Sequence, residues 1–141
     1  MNWFYWALLS AVFAGATAIL AKVGVEGVNS HLAMAIRTTV VLGFAWILVV
    51  IAAPSPWREM QTLTGRTWLF LGLSGAATGL SWLCYFRALQ LGEASKVAPI
   101  DKLSVVFVLV FAALFLGESL TWRTGLGGAL ITAGAVVLVM K

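Results

Sequence analysis

Hydrophobic and polar positions fall into long alternating blocks along this chain. Short segments rich in glycine, proline, serine and charged residues separate five mainly apolar stretches, which cover residues 3–21, 32–53, 67–91, 94–116 and 120–140. None of these stretches alternates with a period of two over its length, which disfavours the strands of a membrane β-barrel. An apolar helix of about 20 residues crosses the hydrocarbon core of a bilayer. The pattern therefore predicts an all-α integral membrane protein with five transmembrane helices.

The polar segments contain residues that start or stop helices. Ser30 is a suitable N-cap for the second helix because its hydroxyl can accept a hydrogen bond from a free amide of the first turn. Pro54 ends that helix because proline lacks an amide donor. Gly92 is expected just after the third helix. Residues 57–66 form the longest polar stretch, and we expect them to be a loop.

Composition agrees with the membrane prediction. The 141 residues are 62% hydrophobic and 10% charged, whereas soluble domains carry about 25% charged residues. Soluble enzymes, nucleic-acid binders and disordered chains are therefore disfavoured. Five helices leave room only for short loops, so residues 1–141 are predicted to be a single membrane domain. The net charge of +4 comes from scattered basic residues, which suit lipid headgroups better than a nucleic acid.

No pattern of catalytic residues is found in the sequence. His31 is the single histidine and is expected in a loop, and Cys84 is the single cysteine. Neither has a second ligand at metal-site spacing, and no serine forms a specific set with a histidine and a carboxylate. We therefore predict a protein that is not an enzyme, with no catalytic residue, no metal and no cofactor.

Four charged residues lie at least four residues from the nearest end of a predicted helix and are the strongest candidates for a functional site. They are Arg37, Arg87, Asp101 and Lys102. At about 1.5 Å per residue, they lie about 6–12 Å from the same membrane surface. Such charges are costly unless they are paired or hydrated, so we expect them to line a cavity that binds a small solute. The alternative is a structural salt bridge, with the long basic side chains reaching the headgroups.

Aromatic residues and a proline accompany this charged layer. Trp82 and Tyr85 lie three residues apart on the third helix, near Arg87, and are predicted to bind the apolar body of a solute. Core packing is the alternative for this pair. Pro99 precedes Asp101 on the fourth helix, where it removes an amide donor and is predicted to act as a hinge.

Small residues recur at spacings that favour close helix packing. Predicted packing positions are Gly72, Gly75 and Gly79 on the third helix, with Gly125 and Gly128 on the fifth. Small residues four apart let two backbones approach in a membrane, where the hydrophobic effect does not drive helices together. Packing within one subunit and packing between subunits both remain open.

Charges at the helix ends do not predict how the chain is oriented in the membrane. With five spans the two chain ends lie on opposite sides, and we call the side of the N-terminus side one. Edge cations number three on each side: Arg58, Arg66 and Arg123 on side one, and Lys22, Lys96 and Lys141 on side two. The positive-inside rule therefore does not select one orientation. Tryptophans at side one form an aromatic belt: Trp3, Trp6, Trp57, Trp68 and Trp122.

Residues 85–104 carry a recognisable pattern, ALxxGxAxxVAP, and Leu116-Gly117-Glu118 and a glycine-rich last helix follow it. The chain closely resembles the EamA domain of the drug/metabolite transporter superfamily over essentially its whole length. Most such transporters contain ten helices, built as two inverted five-helix repeats. This chain resembles a single repeat, as in the five-helix bacterial and archaeal transporter group.

The resemblance implies a multi-pass protein of a prokaryotic inner or plasma membrane that moves metabolites, amino acids or drug-like amphiphiles by alternating access. Five helices enclose little volume, so we expect a homodimer, with antiparallel subunits favoured by the balanced edge charges. The alternative is a membrane interaction protein that does not transport, or a small subunit of a lipid-linked-sugar flippase. The start of the chain is also similar to the four-helix small multidrug resistance proteins, but their essential first-helix glutamate is replaced by Ala14.

Overall fold

The computed structural model describes residues 2–53 and 55–140, and these residues form helices without a strand. In chain order the helices are α1 (Trp3–Gly24), α2 (Ser30–Ala52), α3 (Pro56–Thr62), α4 (Gly65–Leu91), α5 (Ala94–Asp101), α6 (Ser104–Phe115) and α7 (Trp122–Val139). Within the described residues, five segments are long and apolar enough to cross a membrane: α1, α2, α4, α5 together with α6, and α7. The prediction of an all-α membrane protein with five spans is confirmed. Pro54 and Lys141, the predicted helix stop and edge cation, lie outside the described residues.

The second span begins slightly earlier than predicted. Its N-cap is Asn29, whose side-chain oxygen accepts a hydrogen bond from the His31 amide at 2.9 Å. Ser30 is the first residue of α2, so its prediction as the cap is wrong, and so is the prediction of a loop at His31. Asparagine and serine are about equally good caps, so the residue types did not distinguish the two neighbouring positions.

The polar stretch after α2 is also more ordered than predicted. Residues 56–62 form α3, so the prediction of a loop over residues 57–66 is wrong for most of that segment. Pro56 occupies the first turn of α3, where its fixed φ suits a helix and its missing amide costs nothing. Glu59 lies in the same turn, where a negative charge interacts favourably with the positive end of the helix dipole.

The fourth span is interrupted rather than continuous. Helix α5 ends and α6 begins on either side of Lys102 and Leu103. The Leu103 amide donates to the Ile100 carbonyl only three residues back, at 3.0 Å, which is the tighter hydrogen-bonding pattern of a 3₁₀ turn. Pro99 lies inside α5, three residues before the interruption begins. The predicted helix over residues 94–116 is therefore two helices joined by a tight turn.

Two glycines take the left-handed backbone conformation that favours their residue type. Gly27 has φ of 71° in the connection between α1 and α2, and Gly117 has φ of 68° after α6. At the second position the chain reverses so that the Glu118 amide donates to the Ala112 carbonyl at 3.2 Å. The same carbonyl also accepts a hydrogen bond from the Leu116 amide at 3.0 Å, so two amides close the last turn of α6.

The chain comprises two compact units. Unit 1 contains residues 1–22 and 91–141, and unit 2 contains residues 23–90. In unit 1, α5 and α6 both pack against α7. Unit 2 holds α2, α3 and nearly all of α4.

Many large apolar side chains of the spans are exposed. Phe13 is 66% exposed, Ile51 77% and Phe115 80%. Water would make this surface strongly unfavourable, whereas lipid tails solvate it. Backbone groups inside the helices bond to one another, as a bilayer requires. The exposed apolar surface and the five spans thus both follow from a membrane environment.

Candidate solute site and charged residues

Arg37 contacts two aromatic rings of the neighbouring spanning helix in unit 2. Its guanidinium carbon lies 4.4 Å from the centre of the Trp82 ring and 5.5 Å from the centre of the Phe86 ring. Both distances allow a cation–π interaction, which is worth about 0.5–2 kcal/mol depending on how far the cation is removed from water. Arg37 and Trp82 are half-buried and Phe86 is buried. The Arg37 guanidinium therefore packs against the faces of two aromatic side chains.

The register of α2 and α4 explains why these side chains meet. Arg37 follows the start of α2 by seven residues, and Phe86 precedes the end of α4 by five. At about 1.5 Å per residue, both lie about 7–11 Å from helix ends that the topology puts at side two. Trp82 and Phe86 are four residues apart, so both rings lie on one face of α4. One arginine can therefore lie across both rings.

Unit 2 does not supply a carboxylate to Arg37. Between residues 23 and 90 the sequence has two acids, Glu26 and Glu59, against four arginines. The ion pairs among the described residues are Lys96–Glu93 at 2.9 Å and Lys102–Asp101 at 3.4 Å, and both lie in unit 1. Within the described part of its unit, the Arg37 guanidinium therefore contacts aromatic faces but no carboxylate, so its charge is not neutralised there. A cation in this state is well suited to attract an anion.

A chain of hydrogen bonds connects Arg87 to the loop after α1. The Arg87 guanidinium donates to Gln90 Oε1 at 3.0 Å, and Gln90 Nε2 donates to the Val28 carbonyl. Gln90 thus uses both ends of its amide, which fixes the amide orientation. Arg87 itself is exposed and Gln90 half-buried. The pair ties the end of α4 to the connection between α1 and α2.

Asp101 and Lys102 are described in unit 1, where they pair with each other. Lys102 Nζ lies 3.4 Å from Asp101 Oδ2, and the two side chains are 58% and 37% exposed. An ion pair this exposed and this long contributes little to stability. The pair sits at the point where the fourth span is interrupted, so both charges lie beside the tight turn that joins α5 to α6.

Lys22 makes a better-defined contact in the same unit. Its Nζ donates to the Gly92 carbonyl at 2.9 Å, in a partly buried position. Gly92 directly follows the last residue of α4, so Lys22 binds the first backbone carbonyl beyond that helix. This contact joins the end of α1 to the start of the segment that leads into α5.

Tyr85 and the predicted packing glycines differ in how closely they are surrounded. Tyr85 is half-buried, one turn beyond Trp82 on α4.

A Cβ atom added at Gly128 would lie 3.3 Å from Leu109 Cδ1, so this glycine lies tightly against α6. Around the other four predicted positions, no atom of the described part of their own unit lies within 4 Å of an added Cβ; they are Gly72, Gly75, Gly79 and Gly125.

Sequence reasoning missed two members of this arrangement. Phe86 is apolar, and nothing in its residue type distinguishes it from the other apolar residues of α4. A sequence signal did exist, because Phe86 follows Trp82 by four residues and so shares its helix face. Gln90 carried a weaker signal as a polar residue one turn beyond Arg87, near the end of an apolar helix.

Comparison with known proteins agrees with this architecture. The chain matches the EamA-like transporter family over residues 1–140. A Sinorhizobium protein named "Uncharacterized transporter in cobO 3'region" is 55% identical over 139 residues, which cover 99% of this chain and 97% of that protein. Human solute carrier family 35 member G1 is 30% identical over 132 residues, covering 93% of this chain. Those residues are only 34% of the human protein, so this chain spans about a third of that relative. No solved structure matches the chain significantly.

Five apolar helices and the family match together define the class of the protein. It is a multi-pass membrane protein of transporter type. The chain belongs to the EamA-like transporter family, and its family and relatives point to a transporter rather than to an enzyme.

Proposed function

We propose that this protein transports small amphiphilic anions across a prokaryotic inner membrane by alternating access, as a homodimer. The observation that carries the proposal is the Arg37 guanidinium, which lies against Trp82 and Phe86 with no carboxylate partner in the described residues of its unit. A cation inside a spanning segment needs compensation. An anionic solute that also has an apolar or aromatic body supplies both a counter-charge and a surface that packs on the rings.

The chemistry of the arginine side chain favours solutes that carry a carboxylate or a phosphate. A guanidinium that stacks its face on a ring still has its N–H donors at the edge, where a carboxylate or phosphate can accept two parallel hydrogen bonds. Trp82 and Tyr85 supply the aromatic surface for the rest of the solute. Arg87 adds a second cation nearer the end of α4, and Gln90 positions it. The proposed site therefore favours anions over amines.

The length of the Sinorhizobium relative supports a homodimer, since the matched residues cover 97% of that protein. Larger transporters place the site between two inverted repeats, and this chain is about a third of the length of its human relative. Two copies in opposite orientations rebuild such an arrangement, and the balanced edge charges allow one sequence to insert both ways. Gly75 and Gly79 have open space beside them within the described part of their unit, which supports close approach of a helix from the second copy.

The interrupted fourth span is our candidate for the element that moves during alternating access. Pro99 lacks the amide that would bond to the Ser95 carbonyl, so the backbone ladder of α5 has a missing bond. The tight turn at Lys102 and Leu103 follows directly. A helix weakened at two neighbouring places bends there at lower cost than elsewhere. We assign this segment the role of the moving element.

Binding of defined probes to the purified protein tests the anion proposal. Phenyl phosphate and benzoate serve as anions, and benzylamine serves as the matched cation, with affinity measured by calorimetry and thermal shift. Arg37→Gln should weaken anion binding about tenfold or more, because hydrogen bonds to charged groups contribute about 1.5–3 kcal/mol. Arg66→Gln is the matched control, since Arg66 also lies over a ring, 5.7 Å from the centre of Phe70.

The outcomes separate the hypotheses. Anion binding that is lost in Arg37→Gln and retained in Arg66→Gln supports the proposed site. Preference for benzylamine, or equal anion affinity in both variants and the wild type, contradicts it. Absence of binding by every probe, together with stable co-purification of a second membrane protein, would favour the accessory-subunit alternative instead.

A further inference from the structure

A groove lies at the end of α2 in unit 2, at the opposite end of the spans from Arg37. Its volume is about 480 Å³, and it is lined by Leu48, Val49, Ala52, Ala53 and Glu59. Four of the five lining residues are apolar and come from the last turns of α2 and its C-cap. The fifth is a carboxylate supplied by α3. The groove is open along its length, so an occupant would lie on it rather than be enclosed by it.

Tryptophans place this groove at the level of the membrane interface. Trp57 of α3 stacks on Trp46 of α2, with ring centres 6.0 Å apart and an interplanar angle of 19°. Tryptophan is enriched where the hydrocarbon core meets the headgroups. The apolar part of the groove therefore faces the region of the first acyl carbons, while the polar part, on α3, faces the headgroups.

Charge then limits the headgroup that fits. Glu59 is exposed and forms no ion pair with a described residue of its unit. Arg58 precedes it on α3 but is not among the lining residues, so the charged group that an occupant of the groove meets is the Glu59 carboxylate. A zwitterionic headgroup offers an ammonium to this carboxylate. An anionic glycerol headgroup offers no positive charge to the carboxylate.

We propose that this groove is a binding site for an ethanolamine phospholipid. The ammonium group lies against the Glu59 carboxylate, and the upper part of an acyl chain lies along Leu48, Val49 and Ala52. A primary ammonium donates hydrogen bonds to a carboxylate, and this contact is stronger at the interface than in bulk water because the local dielectric constant is lower. The site is independent of the solute site, since it uses other residues and the other end of α2.

Native mass spectrometry tests the proposal directly. The purified protein is mixed with equal amounts of palmitoyl-oleoyl phosphatidylethanolamine and the corresponding phosphatidylglycerol, and the bound lipids are counted. Wild type should retain the ethanolamine lipid preferentially. Glu59→Gln should lower its retention about three- to fivefold, the upper range for a partly exposed charge pair.

Glu118→Gln is the matched control. Glu118 is also an exposed acid without an ion pair among the described residues, and it lies in the loop between α6 and α7, outside the groove lining. Unchanged retention in this variant, with loss in Glu59→Gln, supports the site. Equal retention in Glu59→Gln and wild type, an equal loss in both variants, or a wild-type preference for phosphatidylglycerol overturns it.

Discussion

The guanidinium carbon of Arg37 lies 4.4 Å from the centre of the Trp82 ring. This contact joins two spanning helices, α2 and α4, through a cation and an aromatic face rather than through an ion pair. In a bilayer, the type of partner decides whether the arginine keeps its charge. A carboxylate partner would neutralise the arginine permanently, whereas an aromatic partner stabilises it and leaves its charge available to a ligand.

A double-mutant cycle should show this contact as a measurable coupling. Arg37→Gln and Trp82→Leu are made singly and together, and the free energy of unfolding is measured by denaturant titration in mixed micelles. We expect a coupling of about 1 kcal/mol, the usual size of a partly desolvated cation–π pair. The same cycle on Arg66 and Phe70 should give less, because that contact is longer, at 5.7 Å, and more exposed. Additive effects at Arg37 and Trp82 would contradict the contact.

Gln90 should stabilise the connection between α1 and α2. Gln90→Leu removes the donor to the Val28 carbonyl and the acceptor for Arg87. We expect faster amide hydrogen exchange over residues 25–29 and a loss of about 1 kcal/mol in stability. Gln61→Leu is the matched control, since Gln61 is the other glutamine of the chain and lies exposed on α3. Similar exchange in both variants would show that the hydrogen bond does not hold this loop.

Glycines on α7 should respond differently to a methyl group. An added Cβ at Gly128 meets Leu109 Cδ1 at 3.3 Å, whereas one at Gly125 meets open space within its unit. Alanine gains helix propensity at both positions, by up to about 1 kcal/mol in a peptide helix. Only at Gly128 must a neighbour move, so Gly128→Ala should be less stable than Gly125→Ala in thermal unfolding of the micellar protein. The reverse order would indicate that α6 and α7 are not packed as described.

Orientation in cells should be mixed. Reporter domains that are active on only one side of the membrane, fused after residue 141, should both give signals of similar strength, because the edge cations are balanced. Adding two lysines to the loop around Glu118 should shift the population strongly toward one orientation. A single orientation for the unmodified chain would contradict the antiparallel homodimer while leaving a parallel one possible.

Sequence reasoning was strong for the spans because a bilayer imposes a length and a polarity on each helix. It was weaker where two residues offer the same chemistry. Asn29 and Ser30 both suit an N-cap, and one residue decides where α2 begins. At Pro56 and Glu59 the starting signals of a helix were present, but the polar composition of residues 57–66 concealed them.

Contacts between helices were the least predictable part. Periodicity places Trp82 and Phe86 on one face of α4, but it does not say which residue of another helix faces them. Arg37 could be singled out because its charge is costly in a span. Its aromatic partners, and the link from Arg87 through Gln90 to a backbone carbonyl, depend on the relative register of α2 and α4 and on the path of a loop.

Transport of a permanently charged probe tests the central claim most directly. Labelled phenyl phosphate is presented to proteoliposomes containing wild type, Arg37→Gln or Arg66→Gln, with labelled phenyltrimethylammonium as the cationic counterpart and empty liposomes as background. We predict saturable uptake of phenyl phosphate by wild type and Arg66→Gln, and uptake lower by about tenfold or more in Arg37→Gln. Uptake of the cation instead of the anion, or anion uptake that is unchanged in Arg37→Gln, would contradict an anion site built on Arg37 and Trp82.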